Sequence, residues 1–148
     1  MPQYFEETTP GAWHPFSVTD AVNTFDKHLG KVFFRKVGEG TVEARLETPA
    51  DMLNVHGFYH GGALAGLVER LLLLPLYVER SIYRGGMVVV GMDLQFVSNC
   101  EITSELYADL ERTHETGKMG FVSGKLRHGD QTLVVFQSTV RKLPPPKE

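Results

Sequence analysis

Alternation of apolar and polar residues predicts two strands near the start of the chain. Every second residue from Val42 to Leu46 is apolar, with polar neighbours between, and a second β-like run covers residues 31–37. The run Gly38-Glu39-Gly40 separates the two, as expected for a hairpin connection. The pattern therefore predicts a β-hairpin formed by residues 31–37 and 41–47.

The second half of the chain repeats this two-residue period. The alternating apolar positions run from Val88 to Phe96, Leu106 to Leu110, Met119 to Phe121 and Leu133 to Val135. Turn-forming pairs separate these runs: Gly85-Gly86, Ser98-Asn99, Thr116-Gly117 and Gly129-Asp130. Four more strands are predicted.

Two other segments favour helix. Residues 17–20 (Ser-Val-Thr-Asp) can cap a short helix at about 18–29, with Ala21, Phe25 and Leu29 at helical spacing. From Gly61 to Arg80 the composition changes to Ala, Leu, Val and Glu, which predicts one helix that is apolar on nearly every side. Other elements must wrap such a helix, and Pro75 should kink it.

These elements predict an α+β fold, in which a curved antiparallel sheet of about six strands wraps around one long central helix. A single domain is expected over residues 1–148, with an irregular segment at about 1–17 and a frayed, proline-rich tail at about 143–148. One sheet and one helix leave an open edge and an open face, so a dimer is the expected minimum.

Composition removes several classes of function. A net charge of −3 without long runs of one sign gives no basic surface for nucleic acid or for an anionic membrane. The single cysteine, Cys100, excludes an intramolecular disulfide and a multi-cysteine metal site, so no metal ligands are assigned. The start of the chain lacks an export signal, and the apolar run at 71–77 is too short to span a bilayer. A cytoplasmic protein is expected.

The region of residues 48–60 holds candidate chemistry, because it has no sustained period and leads into the long helix. At a helix start, the N–H groups of Gly61 and Gly62 would be unpaired and would lie at the positive end of the helix dipole. Such donors can polarise a carbonyl and stabilise an oxyanion. The alternative is a glycine pair that only turns the chain into the helix.

Glu69 is the second candidate, because its helical neighbours are Ala65, Gly66, Leu72 and Leu73. Burial on that face would raise its pKa toward the range of a general base, and a carboxylate can also act as a nucleophile. The alternative is a structural ion pair. Gly61 and Glu69 are separated by roughly 12 Å along one helix, so a single carbonyl cannot touch both.

The pattern Asn54-x5-His60-Gly61-Gly62-x6-Glu69 resembles the signature of the PaaI-like hot-dog-fold acyl-CoA thioesterase family, and the resemblance covers about residues 30–142. It implies hydrolysis of an acyl-CoA or aroyl-CoA thioester. The Gly61 N–H would be the oxyanion donor, and Glu69 would be supplied by a second subunit of a homodimer or homotetramer. Coenzyme A would enter as part of the substrate, with no separate cofactor.

The resemblance extends to further residues. Asn54 would orient the attacking water or hold the loop, and His60 would brace the loop or bond the substrate carbonyl or Glu69. Other positions would contact the substrate or its coenzyme A: Gly62 at the helix start, Phe96, Val97, Ser98 and Asn99 along the pantetheine channel, and Gly117 and Lys118 near the nucleotide. Val89 departs from the pattern, since relatives place Ser or Thr there, and Glu101 puts an acid near the expected phosphates.

Two other functions remain open. A non-catalytic acyl-CoA-binding module would keep the fold with little turnover, and the departures at Val89 and Glu101 favour it. A hydratase or dehydratase acting on acyl thioesters would use a histidine with an acid in another arrangement. Glu69 on the helix favours hydrolysis over both.

Overall fold

The structure, a computed structural model, describes residues 11–16, 24–78, 86–103, 105–145 and 147. Within these ranges the chain forms one antiparallel sheet of seven strands in the order β1-β2-β3-β5-β6-β7-β4. The strands are β1 (His14–Phe16), β2 (Lys31–Gly38), β3 (Thr41–Glu47), β4 (Met87–Phe96), β5 (Glu105–Glu115), β6 (Met119–His128) and β7 (Gln131–Lys142). The predicted hairpin and the four later strands are confirmed.

The sheet contains one strand more than predicted. Residues 14–16 form β1, which pairs with β2 through His14–Phe34 and Phe16–Val32, so the prediction of an irregular segment over all of residues 1–17 is wrong. The strand is only three residues long and contains Pro15, which lacks an N–H and suits an edge strand. No alternation can be recognised over so short a segment.

The long helix is divided in two. Helix α1 spans Gly61–Leu71 and α2 spans Leu74–Val78, with a tight turn between them. Pro75 has no N–H to donate to the carbonyl of Leu71, and the N–H of Leu76 bonds back only three residues, to Leu73 O at 3.1 Å. The predicted kink is therefore a break. Residues 79 and 80, the predicted end of the helix, lie outside the described residues.

The predicted N-terminal helix is described only in its last part. Phe25–Leu29 form a single 3-10 helix, and residues 17–23 lie outside the described residues. Gly30 follows with φ +83°, and a Cβ there would lie 2.0 Å from the carbonyl oxygen of Glu47. Only glycine fits this link between the 3-10 helix and β2.

The core lies between the inner face of the sheet and the two helices. Leu67 and Leu71 of α1 and Leu74 of α2 are fully buried against inner-face residues such as Leu46 and Leu106. Gly120 allows the closest approach, since a Cβ there would lie 2.5 Å from the side chain of Leu76. The helices thus run along the sheet from the Phe96 end of β4 towards its Met87 end, because Gly61 faces Phe96 and Gly120 pairs with Val140 beside Val89.

Strand β4 is an edge strand and differs from the expected pattern. A bulge between Val89 and Gly91 shifts the register, so that Val88 lies on the outer face whereas Met92 and Phe96 lie on the inner one. The alternating positions from Val88 to Phe96 therefore do not all share one face of the sheet. Val90 is 55% exposed and Phe96 is also 55% exposed, so apolar side chains of this edge remain uncovered in the single chain.

The segment Gly61–Val78 is long and apolar enough to pass a composition test for a membrane span, with a mean hydropathy of 1.5. Half of the segment is buried inside the domain. The sheet covers one side of the segment, and its buried residues belong to the core of the domain.

Candidate active site

Asn54 organises the loop that precedes α1. Its side-chain Oδ1 accepts the N–H groups of His56 at 2.9 Å and Phe58 at 3.1 Å, and its own N–H donates to Phe58 O at 2.8 Å. Gly57 closes this turn with φ +83°. Of the two roles expected for Asn54, holding the loop is the one that these bonds perform. The side-chain Nδ2 is the atom left to meet a water or a substrate.

Tyr59 fastens the same loop to the segment between β4 and β5. Its N–H donates to Cys100 O at 2.9 Å, and its buried hydroxyl lies 2.6 Å from Thr48 Oγ1 and donates to Thr103 O at 2.8 Å. Phe58 also forms an isolated antiparallel β-bridge with Glu101. The hydroxyl network with Thr48 and Thr103 was not predicted, because these residues are distant in sequence.

His60 is the N-cap of α1. Its Nδ1 accepts the Gly62 N–H at 2.9 Å, and its carbonyl accepts the Leu64 N–H at 3.0 Å. A neutral imidazole that accepts at Nδ1 carries its proton on Nε2, so the exposed side of the ring presents a donor. The bracing role expected for His60 is thus present as a helix cap, and the Nε2–H stands free to meet a carbonyl or a carboxylate.

Gly61 supplies an unbonded backbone donor at the helix start. The cap occupies the Gly62 N–H, whereas within the described part of the chain no acceptor bonds the Gly61 N–H. A Cβ on Gly61 would lie 3.6 Å from the Phe96 ring, so the helix start lies against the open edge of the sheet. The predicted pair of donors is therefore reduced to one at Gly61, at the positive end of the helix dipole.

Glu69 lies two turns along α1 on the side that the sheet leaves open. Its neighbours Ala65, Gly66 and Leu73 are half-buried, but Glu69 itself is exposed, so the expected burial is wrong for the single chain. The pKa of Glu69 is nevertheless raised, first by the partial burial of its carboxyl and then by the negative charge of Asp26. The direction suits a general base. An apolar contact on this open face would bury the carboxylate further and act in the same direction.

Arg70, the neighbour of Glu69, points into the protein. Its guanidinium is largely buried, donates to Gly30 O at 2.9 Å and Asp26 O at 3.3 Å, and lies 5.9 Å from the Phe16 ring. Burial lowers the pKa of Arg70. Arg70 thus links the 3-10 helix to α1. It does not form an ion pair with Glu69. The sequence offered no signal for this structural role.

The predicted substrate residues fall into two groups. Phe96, Val97, Ser98 and Asn99 follow one another at the end of β4, where Gln131 Nε2 donates to Ser98 Oγ at 3.2 Å and to Asn99 O at 2.8 Å. Phe96 and Val97 are more than half exposed beside Gly61. These residues and the helix start therefore share one end of the sheet.

Gly117 and Lys118 lie at the opposite end. The Lys142 N–H donates to Lys118 O at 2.8 Å, and Lys142 pairs with Met87, nine positions from Phe96 along β4. At about 3.3 Å per residue, the Lys118 turn lies roughly 30 Å from the Gly61 end of the same sheet. Val89 is half-buried and lies near this second end. One chain does not bring the two groups together.

Two open grooves of about 550 Å³ and 780 Å³ lie on the outer face of the sheet and share Asp93, Ser123 and Gln137. None of the predicted site residues lines either groove. The catalytic candidates lie on the other side of the sheet, at a surface that is open in one chain. Among the residues that the structure describes, no group of three His, Cys, Asp or Glu side chains is arranged to hold a metal ion.

The cap at His60 gives a first prediction. We expect His60→Ala to lower the free energy of unfolding by about 1 kcal/mol, since Gly62 loses its acceptor, whereas asparagine is a strong N-cap and should retain most of the stability. Urea denaturation of the two variants measures the difference. An equal loss in both would show that the imidazole stabilises the protein by something other than the cap.

Comparison with known proteins gives structural likeness only. No family model matches the chain, and no curated protein is detectably similar to it in sequence. Among solved structures, a thioesterase of Haemophilus influenzae superposes with a TM-score of 0.72 at 16% identity, over 86% of this chain and 87% of that one. The PaaI protein of the E. coli phenylacetic acid degradation operon gives 0.64 at 20% identity, over 77% and 80%.

A third structure is a hypothetical thioesterase of Streptococcus pneumoniae with coenzyme A, which gives a TM-score of 0.66 at 14% identity, over 78% of this chain and 88% of that one. Identities this low show the architecture and leave the chemistry open. The predicted resemblance in architecture is confirmed, and this chain has the hot-dog fold of the PaaI-type thioesterase structures.

Proposed function

We propose that the protein hydrolyses an acyl-CoA or aroyl-CoA thioester to the free acid and coenzyme A. The observation that carries the proposal is the N–H of Gly61 at a capped helix start, for which no acceptor is found among the described residues, on the same open side of the domain as Glu69, whose pKa is raised. The names of the similar structures, thioesterases of which one was solved with coenzyme A, support this reaction class. The reaction uses no metal and no redox cofactor.

The open edge of β4 supports a shared site. An edge strand of ten residues with exposed Val88 and Val90 is a template for pairing with a second copy. If two β4 strands pair antiparallel around a two-fold axis, the α1 helices also run antiparallel, and the partner's Glu69 approaches this Gly61. Gly61 and Glu69 of one helix are roughly 12 Å apart, too far for one carbonyl to touch both, and this separation also favours a site shared between two subunits. We therefore propose a homodimer, alone or within a homotetramer, with two sites.

The same pairing supports the assignment of the coenzyme A residues. It brings the Met87 end of one β4 next to the Phe96 end of the other. Lys118 of the partner subunit, at the start of β6, would then lie at the same end of the paired sheet as this Gly61, two strands beyond the partner's β4. We propose that Phe96, Val97, Ser98 and Asn99 line the pantetheine channel and that the partner's Gly117 and Lys118 meet the phosphates.

The reaction follows from these positions. The thioester carbonyl accepts the Gly61 N–H. Glu69 takes a proton from a water whose oxygen attacks the carbonyl carbon, and the carbonyl electrons move to the oxygen. When the tetrahedral intermediate collapses, the C–S bond breaks and the proton on Glu69 goes to the departing thiolate. In the nucleophilic variant Glu69 attacks the carbon, the thiolate leaves with a proton from water, and a second water opens the anhydride.

Asn54, His60 and Gly62 serve the helix start in this proposal. Asn54 holds the loop and offers Nδ2 to the attacking water, and His60 fixes the Gly62 N–H and offers Nε2–H to the carbonyl or to Glu69. Val89 stands where relatives have a hydroxyl, so its contact with substrate is apolar. The chain is assigned to the cytoplasm, with no nucleic-acid or membrane partner, on the basis of its composition and its single cysteine.

The deciding experiment is release of free thiol from a panel of aliphatic and aromatic acyl-CoA thioesters, followed with a thiol reagent. We expect at least one thioester to be hydrolysed. Coenzyme A binding by calorimetry is measured in parallel. Protein that binds the thioesters and hydrolyses none of them would be a binding module, and loss of the enoyl chromophore without thiol release would indicate a hydratase.

A further inference from the structure

Lys142 is a buried lysine that the proposed reaction does not use. It is the last residue of β7, and its side chain is only 3% exposed. It continues the inner-face positions Phe136, Ser138 and Val140, so it points to the helix side of the sheet. Burying an ammonium group removes its hydration, and an apolar side chain of similar length would fill the position without that loss. The charge therefore calls for a role other than stability.

The ammonium group of Lys142 has two partners. It forms an ion pair with the carboxylate of Glu115, whose side chain is 9% exposed, and it donates to Thr116 O at 2.7 Å. Glu115 also pairs with Arg112 at 3.2 Å. The pair of Lys142 and Glu115 thus lies directly beneath the connection between β5 and β6.

That connection is the turn of residues 116–118. Thr116 Oγ1 accepts the N–H groups of Lys118 at 3.3 Å and Met119 at 3.0 Å. Lys142 holds the turn at two points: its ammonium donates to the carbonyl of Thr116, and its backbone N–H donates to the carbonyl of Lys118 at 2.8 Å. Both carbonyls that flank Gly117 are therefore fixed by one residue.

The exposed part of the turn is Gly117 and Lys118. A Cβ on Gly117 would meet nothing within 4 Å, and Lys118 is exposed. Lysine is a flexible side chain, and a mobile backbone beneath it would add to the entropy lost when it binds an anion. A turn fixed at both of its carbonyls reduces that loss. Lys142 itself is too deeply buried to reach a ligand.

We propose that Lys142, paired with Glu115, is a positioning residue that holds Lys118 for contact with the phosphates of coenzyme A. The inference rests on the proposed function, since it takes Lys118 as the phosphate contact. The specificity for the nucleotide end of the substrate would then depend on the buried ion pair of Lys142 and Glu115. Within one chain, this pair lies at the end of the sheet opposite Gly61.

The test compares Lys142→Met with Lys142→Arg, which keeps a cation. For Lys142→Met we expect the Kd for coenzyme A and the KM for an acyl-CoA to rise about tenfold, the loss of one well-placed charged contact. The KM for the N-acetylcysteamine thioester of the same acid, which lacks the nucleotide, should stay within about twofold, as should kcat for both substrates. Lys142→Arg should recover part of the affinity.

Two further variants separate positioning from folding. Lys142→Met/Glu115→Gln removes the charge of both partners, so no carboxylate is left buried beside a lost ammonium, and it should show the same selective loss. In a Lys118→Ala background, Lys142→Met should cause no additional loss of coenzyme A affinity, because the two residues act through one contact.

The outcomes separate this inference from the proposed reaction. Equal losses for the coenzyme A and N-acetylcysteamine substrates, or a further tenfold loss in the Lys118→Ala background, would overturn the positioning role. Calorimetry with coenzyme A needs no turnover. Wild-type protein that binds coenzyme A without hydrolysing any thioester would overturn the reaction alone, whereas wild-type protein with no affinity for coenzyme A would overturn both.

Discussion

Replacing Glu69 with glutamine is expected to lower kcat for thioester hydrolysis by about a thousandfold, the scale of a lost general base. Glutamine has the shape of glutamate and cannot accept the proton of the attacking water or form an anhydride. The residue is exposed in the single chain, so the substitution should leave folding intact. Thiol release under saturating acyl-CoA measures the effect, and size-exclusion chromatography checks that the oligomer persists. Glu69→Gln protein with near wild-type kcat would remove Glu69 from the mechanism.

The pH dependence of the wild-type enzyme gives the same prediction a second readout. Only the ionised carboxylate acts as base or nucleophile, so the rate should fall as pH drops through the pKa of Glu69. Because partial burial and Asp26 raise that pKa, the acid limb should lie above the range of an ordinary glutamate. Asp26→Asn removes the second cause and should move the limb to lower pH. An acid limb unchanged by that substitution would point to another group.

Gly61→Pro is expected to reduce kcat about a hundredfold to a thousandfold, because it deletes the single N–H proposed to stabilise the oxyanion. Proline is well accepted at the first position of a helix, and His60 already has the extended backbone, φ −66° and ψ 131°, that a residue before proline prefers. The fold should therefore survive. Circular dichroism and thermal unfolding check this directly.

Gly61→Ala is the matched control. It retains the N–H, and its Cβ would lie 3.6 Å from the Phe96 ring, an ordinary contact distance. Alanine should keep kcat within a few-fold, unless the substrate needs the space of the missing methyl group. If alanine and proline lowered kcat equally, the loss would come from blocking the close approach of the substrate to the protein backbone at Gly61. The N–H itself would then not contribute.

Mixing the two inactive variants tests the shared site. In a dimer of one Glu69→Gln and one Gly61→Pro subunit, one site combines the intact Gly61 of the first with the intact Glu69 of the second. After random exchange of equal amounts, half of the dimers are mixed, so about a quarter of the wild-type activity should return. No activity would return if each subunit formed its own site.

The sequence predicted the regular part of the fold well, because five of the strands carry a clear two-residue period. The sequence-based prediction failed at two places where the local pattern of residues does not determine the structure. β1 is too short for a period, and the bulge at Val90 turns Val88 away from the face of Met92, which only the pairing with β7 reveals. The break at Pro75 was predictable because the missing N–H is a property of the residue itself.

The sequence indicated candidate site residues but not the hydrogen bonds that they form. The change in composition at Gly61, after a segment without a period, placed His60 and Gly61 at a helix start. It did not reveal that Asn54 Oδ1 is occupied by the loop, or that His60 Nδ1 occupies the Gly62 N–H. The exposure of Glu69 was missed for a different reason. An apolar helix indicates burial, but it does not say whether the chain itself or a second copy provides the cover.

The two edges of the sheet are unequal, and this limits how copies can add to one another. Within the described residues, one edge is β1, three residues with Pro15, and the other is β4, ten residues with exposed Val88 and Val90. A sheet with two long free edges can extend without limit into a fibre. Here only β4 is long enough to pair, so two copies joined at β4 present only short β1 edges. If copies of the chain join at β4, growth along the sheet direction would stop at the pair.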